Sequence, residues 1–159
     1  MTTADVRSAA FTVDITATTE IDAPPERVWA VLADTARYGE WNPFVCRFEG
    51  TIAVGEKVAV DLQLAGRKVQ SMRPTVVVAE DGRTFEWLGH VGVTGVFDGR
   101  HRFLVEPSGP GRTRFVQSER LSGALVPAFR GMLTTATPAA FVAMNDALAA
   151  RVQEVGHRA

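Results

Sequence analysis

Residues 21–44, IDAPPERVWAVLADTARYGEWNPF, carry a helix start, a helix stop and a turn into extended chain in quick succession. Asp22 is placed to cap a helix, and two prolines occupy the first turn, where no backbone N–H is needed. Val28, Trp29, Val31 and Leu32 then recur on one helical face. A second short helix through Arg37 to Trp41 must end before Pro43, because Asn42 is forced out of the helical region. On either side of this stretch the periodicity is two, not 3.6. Before it, Phe11, Val13 and Ile15 alternate as one face of a strand; after it, Val58, Val60, Leu62 and Leu64 do the same.

The alternation continues through Val69–Glu80, and Asp81-Gly82 is the strongest two-residue hairpin signal in the chain. A two-residue turn there places Glu80 opposite Arg83, Val78 opposite Phe85, and Val76 opposite Trp87. Further strands run through Val91, from Gly95 to Glu106, and from Arg112 to Ser122, the last two joined by PSGPG. From Pro127 to about Val155 the pattern becomes helical, with Phe129, Leu133, Phe141, Met144, Leu148 and Val152 in one stripe and a kink expected at Pro138. The predicted order is therefore one strand, two short helices, six antiparallel strands and one long helix, an α+β arrangement.

Composition narrows the function. A net charge of -1 with no basic stripe argues against nucleic acid as a partner. The one cysteine, Cys46, excludes an internal disulfide or a cysteine-based zinc site, and is read as a small buried hydrophobe. No basic-then-apolar leader opens the chain and no apolar run is long enough to span a bilayer, which implies a cytoplasmic protein without stable membrane insertion. One domain is expected over residues 11–159, with residues 1–10 as a loose tail.

A curved sheet facing one helix about 10 Å wide leaves space that large side chains must fill or a ligand must occupy. If Glu106 and Arg112 flank the last turn, Phe103 opposes Phe115, and His101 opposes Gln117 with Glu119 one step diagonal. Phe115, Gln117, Glu119 and Leu121 then share the inward face, so a polar cluster sits among aromatics. His101 held by Glu119 is a candidate general acid or base, and Gln117 a neutral group to orient a ligand. His90 points the other way by parity, and no HExxH spacing exists, so no metal or other cofactor is expected. The expected wall comprises Met72, Val76, Val78, Trp87, Phe97, Phe103 and Phe115, with Phe129, Leu133, Phe141 and Met144 from the helix; the same residues also suit a filled core. Gly89 and Gly99 fall on the inward face, where they mark either curvature or space left for a ligand.

The quoted opening stretch, together with FDGRHRFLVEPSGPGRTRFVQSERLSG and AAFVAMNDALAARV, resembles the polyketide cyclase/dehydrase group of the SRPBCC superfamily, START-like and birch-pollen-allergen-like, over roughly Thr12 to Val155. The resemblance implies a helix-grip fold: a seven-stranded curved antiparallel sheet wrapped around a long C-terminal helix, two short helices between strands 1 and 2, and a hydrophobic cavity. It also implies that Trp41 and Phe44 lie at the end where such cavities open. Members range from lipid carriers to cyclases, so three functions stay open. One is binding of a small to medium hydrophobic molecule. Another is cyclase or dehydratase chemistry using His101, Glu119 and Gln117. A third is a protein-interaction module, which would need an exposed apolar patch. Monomer and homodimer are both compatible with the sequence.

Overall fold

The structure, a computed structural model, describes residues 1–158. Strand β1 (Thr3–Ala9) pairs antiparallel with β2 (Thr12–Ile21). The first ten residues are thus not a loose tail. Their sequence lacks apolar alternation because β1 is an edge strand exposed along nearly its whole length; only Val6 leans on the core. Phe11 falls in the turn between the two strands and is exposed, so the buried face of β2 starts at Val13.

Helix α1 (Pro25–Ala33) buries Val28, Trp29, Val31 and Leu32. Its N-cap is Pro24, not Asp22, whose carboxylate instead lies 3.0 Å from Arg112 Nε. A short 3-10 turn (Thr35–Arg37) leads into α2 (Tyr38–Trp41). The Tyr38 hydroxyl, fully buried, donates to the Leu32 carbonyl at 2.6 Å and binds the two helices together. Asn42 then does more than end a helix. Its side-chain oxygen accepts from the amides of Phe44 (3.0 Å) and Val45 (2.9 Å), a side-chain-built turn that launches the next strand.

Strands β3 (Val45–Glu49), β4 (Ala59–Leu62) and β5 (Gln70–Met72) form a small antiparallel sheet. Strands β6 (Thr75–Glu80), β7 (Thr84–His90), β8 (Asp98–Gly109) and β9 (Arg112–Ser122) join the first two in a six-stranded sheet, ordered β1-β2-β9-β8-β7-β6. The expected continuous strand Val69–Glu80 is split at Arg73-Pro74, since proline has no N–H for the ladder, and its two halves enter different sheets. That split and β1 account for the difference from seven strands.

Two turns also differ from expectation. The Asp81-Gly82 hairpin pairs Glu80 with Thr84, so its loop holds three residues. A bulge between Val76 and Val78 then restores the Val76–Trp87 pairing but moves Val78 opposite Glu86 and off the core. In the last hairpin β8 runs on to Gly109, with an irregularity after Pro107, and the register slips by two residues.

The C-terminal helical stripe is two helices, α3 (Val126–Thr134) and α4 (Ala136–Arg158), broken at Thr135. Pro138 offers no N–H to the Thr134 carbonyl and its ring crowds that group, so the helix resets three residues upstream of the expected kink. The hydroxyls of Thr134 and Thr135 bond back to the carbonyls of Arg130 (2.9 Å) and Gly131 (2.7 Å). Helix α4 lays Phe141, Met144, Leu148 and Val152, all fully buried, across the sheet. Asn145 anchors it, donating to the Ala17 carbonyl and the Thr19 hydroxyl, each at 3.2 Å. This is the helix-grip arrangement.

Candidate functional site

The middle of the grip is filled. Phe85, Trp87, Phe103, Phe115 and Phe141 are each at most 2% exposed, and His101 at 1% stacks among them. Its ring centroid lies 5.0 Å from Trp87, 4.5 Å from Phe103 and 4.9 Å from Phe141. The hollow part is at one end, where a cavity of about 380 Å³ separates the ends of β7–β9, the small sheet and the α3–α4 junction. Buried Phe44 and Leu133, with Glu119, form its floor; exposed Gln70, Ser71, His90 and Val91 mark its mouth.

The expected wall residues therefore separate. Phe44, Met72, Phe97 and Leu133 line the cavity. Val76, Trp87, Phe103, Phe115, Phe141 and Met144 belong to the solid core, and Trp41 packs edge-on against Tyr38 at 5.3 Å, away from the cavity. Phe129 is 44% exposed and meets Phe97 edge-to-face at 5.7 Å on the outer side. Polar lining from Gln70, Ser71 and Thr137 was not singled out from the sequence, and neither was the apolar contribution of Met132. The one local signal was the glycine pair. Gly89 and Gly99 face each other across β7 and β8 and both line the cavity. A Cβ at Gly89 would sit 2.5 Å from Met72 Cε, and one at Gly99 2.9 Å from Glu119 Oε1.

The polar cluster assembles with its pairings exchanged. His101 opposes Glu119 and Phe103 opposes Gln117, the consequence of the two-residue slip. Gln117 Nε2 still reaches His101 Nε2 at 3.0 Å, and Glu119 Oε2 lies 3.6 Å from His101 Nδ1. The direction of the Gln117–His101 bond follows the imidazole tautomer, and Nδ1 is the ring nitrogen that faces the carboxylate. His101 thus lies behind Glu119, and the cavity itself touches only Glu119 of the three. Gln117 is fully buried; its Oε1 has no partner, while its Nε2 also approaches Met144 Sδ at 3.4 Å. Glu119 has no Arg or Lys within ion-pair distance among the described residues, and its side chain is 13% exposed.

At the mouth, and not facing away as parity suggested, His90 closes a second pair with Asp98 at 2.7 Å, and Asp98 Oδ2 also accepts the Gly95 amide at 2.8 Å. These bonds hold the Asp98 carboxyl below its usual range, the His90 contact contributing most. They clamp the loop that forms one lip of the mouth. The outward faces of β7–β9 carry ion pairs, Arg100 with Glu86 at 2.6 Å and Arg114 with Glu20 at 2.8 Å. Cys46 is half-buried, its thiol 3.4 Å from the Asp61 carbonyl.

The sheet and long helix thus enclose an end cavity whose lining carries one carboxylate. The chain belongs to the polyketide cyclase/dehydrase and lipid transport family, which it matches over residues 12–153. Among solved structures it is similar to the Zhui aromatase/cyclase from a Streptomyces species, with 18% identity over 89% of this chain and 94% of that one (TM-score 0.72). A START superfamily protein from Mycobacterium smegmatis is 19% identical over 89% of this chain and 98% of that one (TM-score 0.66). Norcoclaurine synthase from Thalictrum flavum, seen with dopamine and hydroxybenzaldehyde, is 17% identical over 90% and 87% (TM-score 0.66). Identities this low establish the fold. Comparison with curated proteins finds no match. Among the described residues no helix is long and apolar enough to cross a membrane.

Proposed function

We propose that this protein binds a compact, mostly apolar molecule whose polar end carries a hydrogen-bond donor, a protonated amine or a hydroxyl, directed at Glu119. The observation that carries this reading is the wall chemistry. Glu119 is the one carboxylate lining an otherwise largely apolar cavity, with no Arg or Lys within ion-pair distance among the described residues. A carboxylate in such surroundings gains most from a ligand that supplies a donor, and repels one that brings a second carboxylate. The cavity volume suits a ligand of one to three rings. His101 and Gln117 act through Glu119 as positioning groups, which revises the general-acid role read for His101.

Catalysis remains the second reading, supported by the likeness to an aromatase/cyclase and to a synthase seen with an aromatic amine and an aldehyde. In that reading Glu119 takes a proton from the carbon beside a ligand carbonyl, and the new electron pair moves onto the carbonyl oxygen.

A thermal-shift series on one ring system tests the binding: naphthalene, 2-naphthol, 1-naphthylmethylamine and 1-naphthoate. The amine and the phenol are expected to raise Tm above the hydrocarbon, and the carboxylate to leave it unchanged. Equal stabilisation by the carboxylate would refute the assignment to Glu119. No response to any of the four would refute a ligand cavity of this size.

A further inference from the structure

Large hydrophobic side chains are left exposed at nine described positions, and six of them gather at one end of the molecule. Val91 and Val93 lie in the loop between β7 and β8. The carbonyls of Gly95 and Val96 in that loop accept the amides of Ala124 and Leu125, which seats the start of α3 beside it. Leu125 (40% exposed) and Phe129 (44%) project from that start, and Phe11 (58%) adjoins them through its carbonyl, which accepts the Gly123 amide. Val69 (48%) immediately precedes the lining residue Gln70. Single exposed hydrophobics are ordinary; a ring of them around a cavity mouth is not.

Three cations on these segments stand without a carboxylate partner among the described residues. Arg67 and Lys68 precede Val69 in the β4–β5 turn, and Arg130 follows Phe129. None of the three makes an ion pair among the described residues; Arg130 donates only to the Ala10 carbonyl. The carboxylates closest along these segments are already engaged, Asp61 by Arg47 and Ser71, Asp98 by His90 and the Gly95 amide. Apolar side chains interspersed with unpaired cations match the interfacial zone of an anionic bilayer. Protein-interface cores, by contrast, are depleted in lysine.

We infer that the cavity mouth is a docking surface for an anionic lipid bilayer. The ring of Val69, Val91, Val93, Leu125 and Phe129 enters the interface, while Arg67, Lys68 and Arg130 meet lipid phosphates. The chain sits on the bilayer without spanning it, and an apolar ligand passes between lipid and cavity without crossing water.

Co-sedimentation of the full chain with extruded vesicles tests this, using phosphatidylcholine alone and phosphatidylcholine with phosphatidylglycerol. Binding to the anionic vesicles at low salt is expected, weakening as salt rises. Each cation near such a surface contributes about fivefold, so Arg67→Gln/Lys68→Gln is expected to weaken anionic-vesicle binding about 25-fold. That variant should leave neutral-vesicle binding unchanged. Both residues lie on an exposed turn, so folding is preserved, as a melt will check. Leu125→Ser/Phe129→Ser is expected to weaken binding to both vesicle types. The inference is overturned if the unaltered chain stays in the supernatant with anionic vesicles, or if the charge variant binds them equally. It is also overturned if sedimentation equilibrium shows a dimer that Leu125→Ser/Phe129→Ser dissolves, since a second copy would then cover the patch.

Discussion

Replacing Glu119 by glutamine separates the charge of the cavity floor from its shape. The two side chains have nearly the same volume, and the carboxylate stands 3.6 Å from His101 Nδ1, beyond hydrogen-bond distance, so no hydrogen bond within the protein is lost. The fold is therefore expected to lose less than about 1 kcal/mol. The ligand loses more. A hydrogen bond to a charged group contributes about 1.5–3 kcal/mol, against about 1 for a neutral pair. The difference, about 0.5–2 kcal/mol, means that the Kd for 1-naphthylmethylamine is expected to rise about 2- to 30-fold. For naphthalene, which meets only the apolar lining, it should change less than about twofold, because no polar contact is removed. Isothermal titration at neutral pH gives both constants, and urea denaturation of the free protein gives the stability term. An amine affinity unchanged by Glu119→Gln would refute the assignment of Glu119 as the orienting group. A parallel loss for naphthalene would show that the substitution had collapsed the cavity instead.

Gly99→Ala places a methyl carbon 2.9 Å from Glu119 Oε1 and 3.4 Å from Leu121 Cδ2. The carboxylate must swing away, so amine affinity should fall at least about tenfold while the stability cost stays near 1 kcal/mol, both read by the same titration and denaturation. Phe141→Ala empties a fully buried site touching Phe44 and His101, and should cost about 3–5 kcal/mol in urea denaturation. Asp98 has a carboxyl held below its usual range by His90 and the Gly95 amide. Its contribution is present above the ordinary carboxylate range and is lost as pH falls through the lowered value. Hydrogen-exchange protection of the Gly95 amide should therefore fall toward acid, and Asp98→Asn should show the low protection already at neutral pH. Protection that is high and flat in both would refute the clamp.

The sequence pattern reached the large features because they rest on periodicity. The apolar face of α1, the full extent of β9 and the α4 stripe each repeat strongly enough to be read alone. What escaped depends on neighbours. Strand β1 carries no buried face and exists through its pairing with β2. The register of the last hairpin turned on one irregularity after Pro107, which exchanged the partners of His101 without separating the cluster. Parity identifies which side chains point inward; it cannot say how far the helix lies from each. Trp87 and Phe97 both point inward, yet Trp87 is 2% exposed in the solid centre while Phe97 stands at the hollow end. Met132, Leu133 and Thr137, on either side of the break at Thr135, line the hollow end.

Gly89 and Gly99 give the cavity a property of its own, independent of the aromatic centre. The chamber owes part of its volume to two missing methyl groups on adjacent strands, and each can be supplied by a one-base change from a glycine to an alanine codon. Capacity can thus be reduced at positions that contribute little to the core, so descendants of this chain can trade one guest for a smaller one while the scaffold around Trp87, Phe103 and Phe141 stays as it is.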